Sequence, residues 1–368
     1  MKQYSQTCVE IDISNILHNI KTLKGLIGRK VKFMAVVKAD AYGHGAVPVS
    51  RAVSKSVDRL AVATIGEALE LKQAEIRLPI LILSETPAHA ASQVVKNGFT
   101  QTVYTLSFAK ALSTAAKKIG KTVKVHIKID TGMGRVGVRP ENFSTLFKEI
   151  TRLPNVKIEG IYTHLARAEE ENGFTGKQLK LFRSALSGID TRGLILHAAN
   201  SAGALYHKGS RLDMVRIGLA MYGLYPPGGK KGAVKLKPAL SFKTRVAYIK
   251  NVPAGTPLSY GSTYITRKGT NIATLPVGYA DGIPRALSNK GHVLIRGRRY
   301  PIVGRVCMDL TMVDVGSNNN VKTGDEAVLI GSQGRESISA DEVAALANTI
   351  SYEIICGIGK RVPRVYVN

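Results

Sequence analysis

The feature that most limits the fold of this chain is a regular alternation over its first two-thirds. Short β-branched apolar runs alternate with helix-patterned stretches. The runs are Phe33–Val37, Leu60–Thr64, Pro79–Leu83, Gln101–Tyr104, Val123–Ile129, Lys157–Thr163, Leu194–His197 and Met214–Ile217. They are nearly continuous in apolar character, as strands covered on both faces are. Between them, Gly66–Ala74 and Lys177–Leu186 repeat apolar residues at the three- and four-residue spacing of a helix. Eight strands separated by helices predict an α/β fold, a TIM-like (β/α)8 barrel; an open doubly wound sheet is the competing architecture.

From Leu236 onward the helical period fades. Short β-rich runs at Leu240–Ile249, Asn271–Val277, His292–Ile295 and Glu326–Ile330 are punctuated by Gly and Pro, with one helical segment at Ser339–Ala347. A barrel over residues 11–225 and a C-terminal mostly-β domain over 226–368, joined by residues 1–10, is the organisation expected. The boundary falls in the Gly- and Pro-rich Gly223–Gly232. A chain of 368 residues is long enough for both.

Hydrophobic residues at 44% and charged residues at 21% are globular values and argue against disorder. The N-terminus MKQYSQTCVEIDISN lacks a secretory pattern, and no run approaches the ~20 apolar residues of a membrane helix. A cytoplasmic protein without membrane insertion is expected. Cys8, Cys307 and Cys356 are too far apart for a disulfide framework or a zinc site, so no metal is expected and each reads as a small buried hydrophobe. The net charge of +26 raises the question of nucleic acid, but the basic pairs Arg29-Lys30, Lys117-Lys118, Lys230-Lys231 and Arg298-Arg299 are scattered. No nucleic-acid motif accompanies them. A basic solvated surface, with weak polyanion adhesion at low salt and no specific nucleic acid, is the reading.

Five strand ends carry the candidate chemistry. Lys38 follows the apolar run FMAVV, where a lysine is costly unless neutral, paired or covalently modified. It is either a snorkelling residue or a Schiff-base amine; Tyr42, Gly43 and Gly45 after it suggest a tight loop near a ligand. Lys128–Val138 (KIDTGMGRVGV) offers Arg135 in a glycine-rich loop, a donor to an anionic oxygen, and a lysine, Lys128, inside an apolar strand. Tyr162-Thr163-His164 ends another run. In HAANSAG, Ser201 and nearby amides suit a phosphate, and in VRIGLAMYGLYP a buried Arg216 demands a partner while Gly218 and Leu219 offer amides. A lysine, two arginines, a histidine and a phosphate cradle at one barrel end are what pyridoxal phosphate requires.

With those residues assembled, the chain resembles the alanine racemases over nearly its whole length. VVKADAYGHG, KIDTGMGRVGV, YTHLA, HAANSAG and VRIGLAMYG match family segments in order, as do LSYGSTY, LPVGYADGIPR and GRVCMDLTMVDV in the second domain. The resemblance implies pyridoxal 5'-phosphate on Lys38, which also acts as one acid/base. It implies Tyr260, reaching in from the partner subunit of a homodimer, as the opposite-face acid/base. Arg216 then faces the pyridine nitrogen, Arg135 contacts the phenolic oxygen and the substrate side, and His164 links Tyr260 to Arg216. Tyr42, Ser201, Gly218, Leu219 and Tyr352 hold the phosphate, with Asn200 in support. Met308 and Asp309 approach the substrate from the partner. Tyr279, Glu169, Arg285 and Arg305 line the entry route, and Lys128 matches a lysine that is often carbamylated. The implied activity is L-/D-alanine interconversion, supplying D-alanine for peptidoglycan. Two features depart from the family pattern: the charge of +26, and Gly357–Lys360 where a more polar segment is expected.

Three rivals stand beside this reading. They are a cofactor-binding barrel without catalysis, a decarboxylase of the same architecture, and a polyanion-binding protein. Decarboxylases of this class place an acidic residue at the ring nitrogen, the opposite of Arg216.

Overall fold

The computed structural model describes residues 6–170, 173–226, 228–229, 234–317 and 320–368. Two units divide the chain: one is Ile16–Lys237, and the other joins the N-terminal segment through Asn15 to Pro238–Asn368. Of the expected boundary stretch, positions 227 and 230–232, including the Lys230-Lys231 pair, lie outside the described residues.

In the first unit eight parallel strands close into a barrel. They are Lys32–Val36, Arg59–Val62, Ile80–Ile82, Thr100–Val103, Val123–Lys128, Val156–Tyr162, Ile195–His197 and Met214–Ile217. Each lies within two residues of its expected limits. Closure comes from parallel pairing of Lys32–Ala35 with Met214–Ile217, which excludes the open sheet. The helices between strands are set by local signals. Thr64 and Glu67 form a reciprocal capping box at the start of Ile65–Gln73. Thr105 accepts from the Phe108 amide to start Leu106–Ile119, and Gly120 in the left-handed region ends it.

The barrel interior departs from the apolar expectation. Along the fifth strand Val125 and Ile127 alternate with Lys124, His126 and Lys128. Such a period of two puts the polar set on one face. That face looks inward, because His126 reaches His197 two strands away at 2.7 Å. The inside of this barrel is packed, as barrel interiors are, but much of the packing is charged or hydrogen-bonding.

The second unit is mostly β. Its largest sheet runs Arg298–Pro301, His292–Ile295, Glu326–Gln333, Leu240–Arg245, Cys8–Asp12, Arg364–Val367, with Glu336–Ile338 added to Glu326–Gln333. A three-stranded sheet (Tyr248–Val252, Thr270–Leu275, Thr311–Asp314) and the ribbon Pro257–Leu258 with Tyr264–Ile265 complete it. The expected single strand Leu240–Ile249 is two strands in different sheets. The switch occurs between neighbours: the Val246 amide donates to Asp325 O and the Ala247 amide to Thr274 O. The expected helical segment Ser339–Ala347 is the helix Ala340–Leu346, capped by Ser339, whereas the strand Cys8–Asp12 and helix Ser351–Cys356 had no sequence signal strong enough to be read. Cys8 and Cys307 are half-buried and Cys356 is exposed, which corrects the expectation that all three are buried. Among the described residues no helix is long and apolar enough to cross a membrane.

Candidate active site

At the C-terminal end of the barrel the first strand runs into Lys38, which is half-buried. The next four residues, Ala39, Asp40, Ala41 and Tyr42, all have φ between 51° and 55°. A left-handed turn of four non-glycine residues costs about 1–2 kcal/mol per residue. Its surroundings hold it. The Ala39 amide donates to Glu67 Oε1 at 2.7 Å, and the Ala46 amide to Asp40 Oδ1 at 2.7 Å. Glu67 Oε2 accepts from the Ala63 and Thr64 amides, so one carboxylate ties the turn after the first strand to the helix start after the second. Sequence reasoning placed a glycine loop here and missed Glu67; the T-x-x-E box was the available signal.

Arg216 is buried on the eighth strand. It donates to His197 Nδ1 (2.8 Å), Thr163 O (2.7 Å), Ala198 O (2.9 Å) and His164 Nδ1 (3.3 Å). Its guanidinium lies 4.9 Å from the centre of the Tyr162 ring. Burial pushes Arg216 down to about 10, which leaves it a cation at neutral pH and a donor only. Burial and the Arg216, Lys128 and Arg135 charges hold His164 well below its ordinary value, so it is a neutral imidazole. With Nδ1 accepting from Arg216, its proton sits on Nε2.

Lys128 ends the fifth strand, buried, and burial together with Arg135 and Arg216 pushes its amine down to about 8; Asp130 opposes this, and Lys38 adds to it. Arg135 itself is exposed in the loop that Asp130 shapes by accepting from the Gly132 and Gly134 amides. The rim therefore brings together the cations Lys38, Lys128, Arg135 and Arg216, with Asp130 opposing the shift at Lys128. Such a rim calls for an anionic ligand.

A cradle for one end of that ligand is built from backbone. Ser201 Oγ accepts from the Gly218 amide (3.1 Å) and the Ala220 amide (3.3 Å). A Cβ on Gly218 would sit 2.4 Å from the Tyr42 hydroxyl, so only glycine lets that hydroxyl reach the cradle. Leu219 is buried beside it, and Asn200 caps the Ser201–Tyr206 helix by accepting from Gly203. These residues fit a phosphorylated, anionic ring such as pyridoxal phosphate. Glu169 is half-buried in the loop after the sixth strand.

The remaining expected site residues lie on the second unit. Tyr260 is 72% exposed in a turn whose predecessor, Ser259, donates through Oγ to Arg305 O at 2.7 Å. Gly261 lies 3.6 Å, measured from its would-be Cβ, from the half-buried Arg305 guanidinium. The Tyr279 amide donates to Cys307 O and the Ala280 amide to Met308 O. Three segments thus converge and leave Tyr260, Tyr279, Met308 and Leu310 exposed. Asp309 is ion-paired to Arg361 at 2.7 Å, and Arg361 also holds Asp281. Arg285 is exposed, and Tyr352 is half-buried on Ser351–Cys356. The unusual Gly357–Lys360 tail has a packing role: a Cβ on Gly282 would lie 2.6 Å from Ile358 Cα, and the Gly359 amide donates to Asp281 O.

Comparison with known proteins covers both units. The sequence profile of the alanine racemase N-terminal domain matches residues 11–226, and that of the alanine racemase C-terminal domain matches residues 239–366. The alanine racemase of Halothermothrix orenii is 47% identical over 98% of this chain and 97% of its own length. Among solved structures, the alanine racemase of E. faecalis superposes with a TM-score of 0.95 at 34% identity, covering 99% of both chains. That of Bartonella henselae, with covalently bound pyridoxal phosphate, superposes with a TM-score of 0.89 at 32% identity over 98% of this chain and 99% of that one. Fold and sequence together define a barrel-plus-β-domain enzyme of the racemase class. The chain belongs to the alanine racemase family.

Proposed function

We propose that the protein interconverts L- and D-alanine by a two-base proton transfer at Cα, as a homodimer with shared active sites in the cytoplasm, and supplies D-alanine for peptidoglycan. Pyridoxal phosphate, held covalently on Lys38, supplies the electron sink that acidifies the Cα–H. Tyr42, Ser201, Gly218, Leu219 and Tyr352 would hold its phosphate, with Asn200 in support, and Arg135 would meet its phenolic oxygen. The proposed division of labour assigns residues 11–225 to cofactor binding and residues 226–368 to completing the partner's site.

The observation that carries the reading is the electrostatics of Arg216. It is a cation whose N–H groups go to two imidazoles and two carbonyls, none of them a carboxylate. Opposite a ring nitrogen, such a group donates a hydrogen bond and keeps its proton. This favours reversible proton exchange over the stronger electron withdrawal that an acidic residue gives a decarboxylase.

Lys38 Nζ takes or returns the proton on one face, and the Tyr260 hydroxyl of a second copy does so on the other. His164 supports the phenol. Its free Nε2–H donates to the phenolate oxygen while Arg216 polarises the ring from behind, which stabilises the basic form. Met308 and Tyr352 crowd the side-chain pocket around a methyl group, with Asp309 beside it. Serine is then a slow substrate, because one added hydroxyl is hard to reject. Tyr279, Glu169, Arg285 and Arg305 line the approach.

The test is a coupled assay of D-alanine formation across L-amino acids, with the absorbance of lysine-linked cofactor recorded in parallel. Alanine should dominate, and Lys38→Ala should lose both the activity and the band. A cofactor-loaded protein without racemisation, or a band that survives Lys38→Ala, would overturn the reading.

A further inference from the structure

The barrel interior holds a line of side chains, ending at Arg216, whose other members no step of the proton transfer uses. It starts near the N-terminal mouth of the barrel with Glu159. One oxygen, Oε1, is 2.9 Å from Lys124 Nζ; the other, Oε2, is 2.6 Å from Arg59 and 3.3 Å from His126 Nε2, with Thr100 Oγ1 at 3.4 Å. His126 Nδ1 lies 2.7 Å from His197 Nε2, and His197 Nδ1 lies 2.8 Å from Arg216. His126 and His197 are fully buried.

Both ends of this line have only one possible hydrogen-bonding role. Arg216 can only donate, so His197 Nδ1 accepts and its proton is on Nε2. That proton points at His126 Nδ1, which accepts, so the His126 proton is on Nε2 and points at Glu159. Burial raises the Glu159 carboxyl, but the hydrogen bonds from His126, Arg59 and Lys124 hold it well below the usual carboxylate range, so it is an acceptor only. Burial lowers His126, and burial with the Arg216 charge lowers His197, so both rings are neutral. A second proton would set two N–H groups face to face: on His126 Nδ1 against His197 across 2.7 Å, and on His197 Nδ1 against Arg216 across 2.8 Å. Every proton along the line has one place. Packing enforces the geometry: the Tyr162 ring stacks on His197 at 4.6 Å and 8°, and a Cβ on Gly160 would strike the His126 ring at 2.7 Å.

We propose that Glu159 and His126 are positioning residues for Arg216, acting through His197 as a one-way hydrogen-bonded strut from the far end of the barrel. This rests on the reading that Arg216 faces the cofactor ring. The carboxylate polarises both imidazoles in turn and strengthens His197 Nδ1 as the acceptor that stops the guanidinium from rolling. The line is a strut and not a proton relay.

Holoenzyme labelled with 15N-histidine tests this. In the unmodified protein His126 and His197 should both carry their proton on Nε2 and show no titration between pH 6 and 9. A proton on Nδ1 of either ring, or a titration in that range, overturns the proposal. Arg59→Met combined with Glu159→Leu removes both buried charges together, which barrels tolerate better than losing one, and leaves the exposed Lys124 to solvent. It should shift the ring nitrogens of both histidines and lower kcat about tenfold with KM for alanine within about twofold. Arg59→Met alone keeps the acceptor and should keep the wild-type signals. A folded double variant with unshifted His197 signals or wild-type kcat overturns the proposal. If the double variant does not fold, Glu159→Gln, which keeps the shape and drops the charge, should shift the same resonances in the same direction; no shift is the contrary result. Absence of lysine-linked cofactor absorbance in the wild type would refute the proposed function, whereas the histidine signals decide the strut independently.

Discussion

Lys128 shows how a single residue's surroundings determine its chemistry. A lysine amine reacts with carbon dioxide only when neutral, and burial beside Arg135 and Arg216 brings this amine down to about 8. Its neutral fraction therefore grows as pH rises from 7 to 9, and carbamylation should grow with it. In 13C-bicarbonate, a carbamate resonance should appear, strengthen over that range at fixed dissolved carbon dioxide, and vanish in Lys128→Ala. A resonance that weakens with pH would contradict the assignment. Tyr260 makes a different prediction. Mirror-image substrates have an equilibrium constant of one, so kcat/KM must be equal in both directions for any variant. The two bases separate only in hydrogen exchange. Tyr260→Phe should keep cofactor on Lys38 and slow racemisation by ~10²–10⁴. It should still exchange the Cα hydrogen of one enantiomer with deuterium from solvent; exchange from both, or from neither, counts against two bases. Residues at strand ends were legible because a lysine or arginine inside an apolar run is anomalous. Glu159 and His126 were not, since their meaning lies in neighbours brought together only by barrel closure.

At the scale of elements, strand positions were legible because β-branched apolar runs bounded by turn residues leave few alternatives. The left-handed turn after Lys38 was not, because its residues have no local preference for φ near 50° and are held there from outside. Glu67 is the main external tie, accepting three backbone amides across two connections. Glu67→Ala should lower unfolding free energy by about 2–3 kcal/mol, the loss of hydrogen bonds to a charged group. It should also weaken cofactor retention, measured by dialysis of the holoenzyme at constant temperature. Unchanged retention in a destabilised variant would show that the turn holds Lys38 without Glu67. The chain switch at Val246-Ala247 was illegible for a related reason: both residues suit a strand, and only their partners differ.

At the scale of the molecule, Tyr260, Tyr279, Met308 and Leu310 are large apolar side chains left uncovered on one unit; Tyr260 and Met308 are 72% and 53% exposed. Such clustered exposure marks an interface. If the active site is shared, two dead variants should rescue each other. Subunits of Lys38→Ala and Tyr260→Phe, unfolded together and refolded one to one, form mixed dimers in half the cases, each with one intact site. Activity should recover to about a quarter of wild type. A site built within one chain would recover nothing.

The first and last strands of the ring lie side by side and carry Lys38 and Arg216, since Met34 pairs with Arg216 and Lys38 follows only four residues later. A growing polypeptide on the ribosome thus has no closed ring until almost the whole first unit has emerged. With pyridoxal phosphate held at Lys38 and facing Arg216 as proposed, the cofactor would act as a clasp across the seam. Every increment in its free concentration above the dissociation constant then makes opening of the ring rarer.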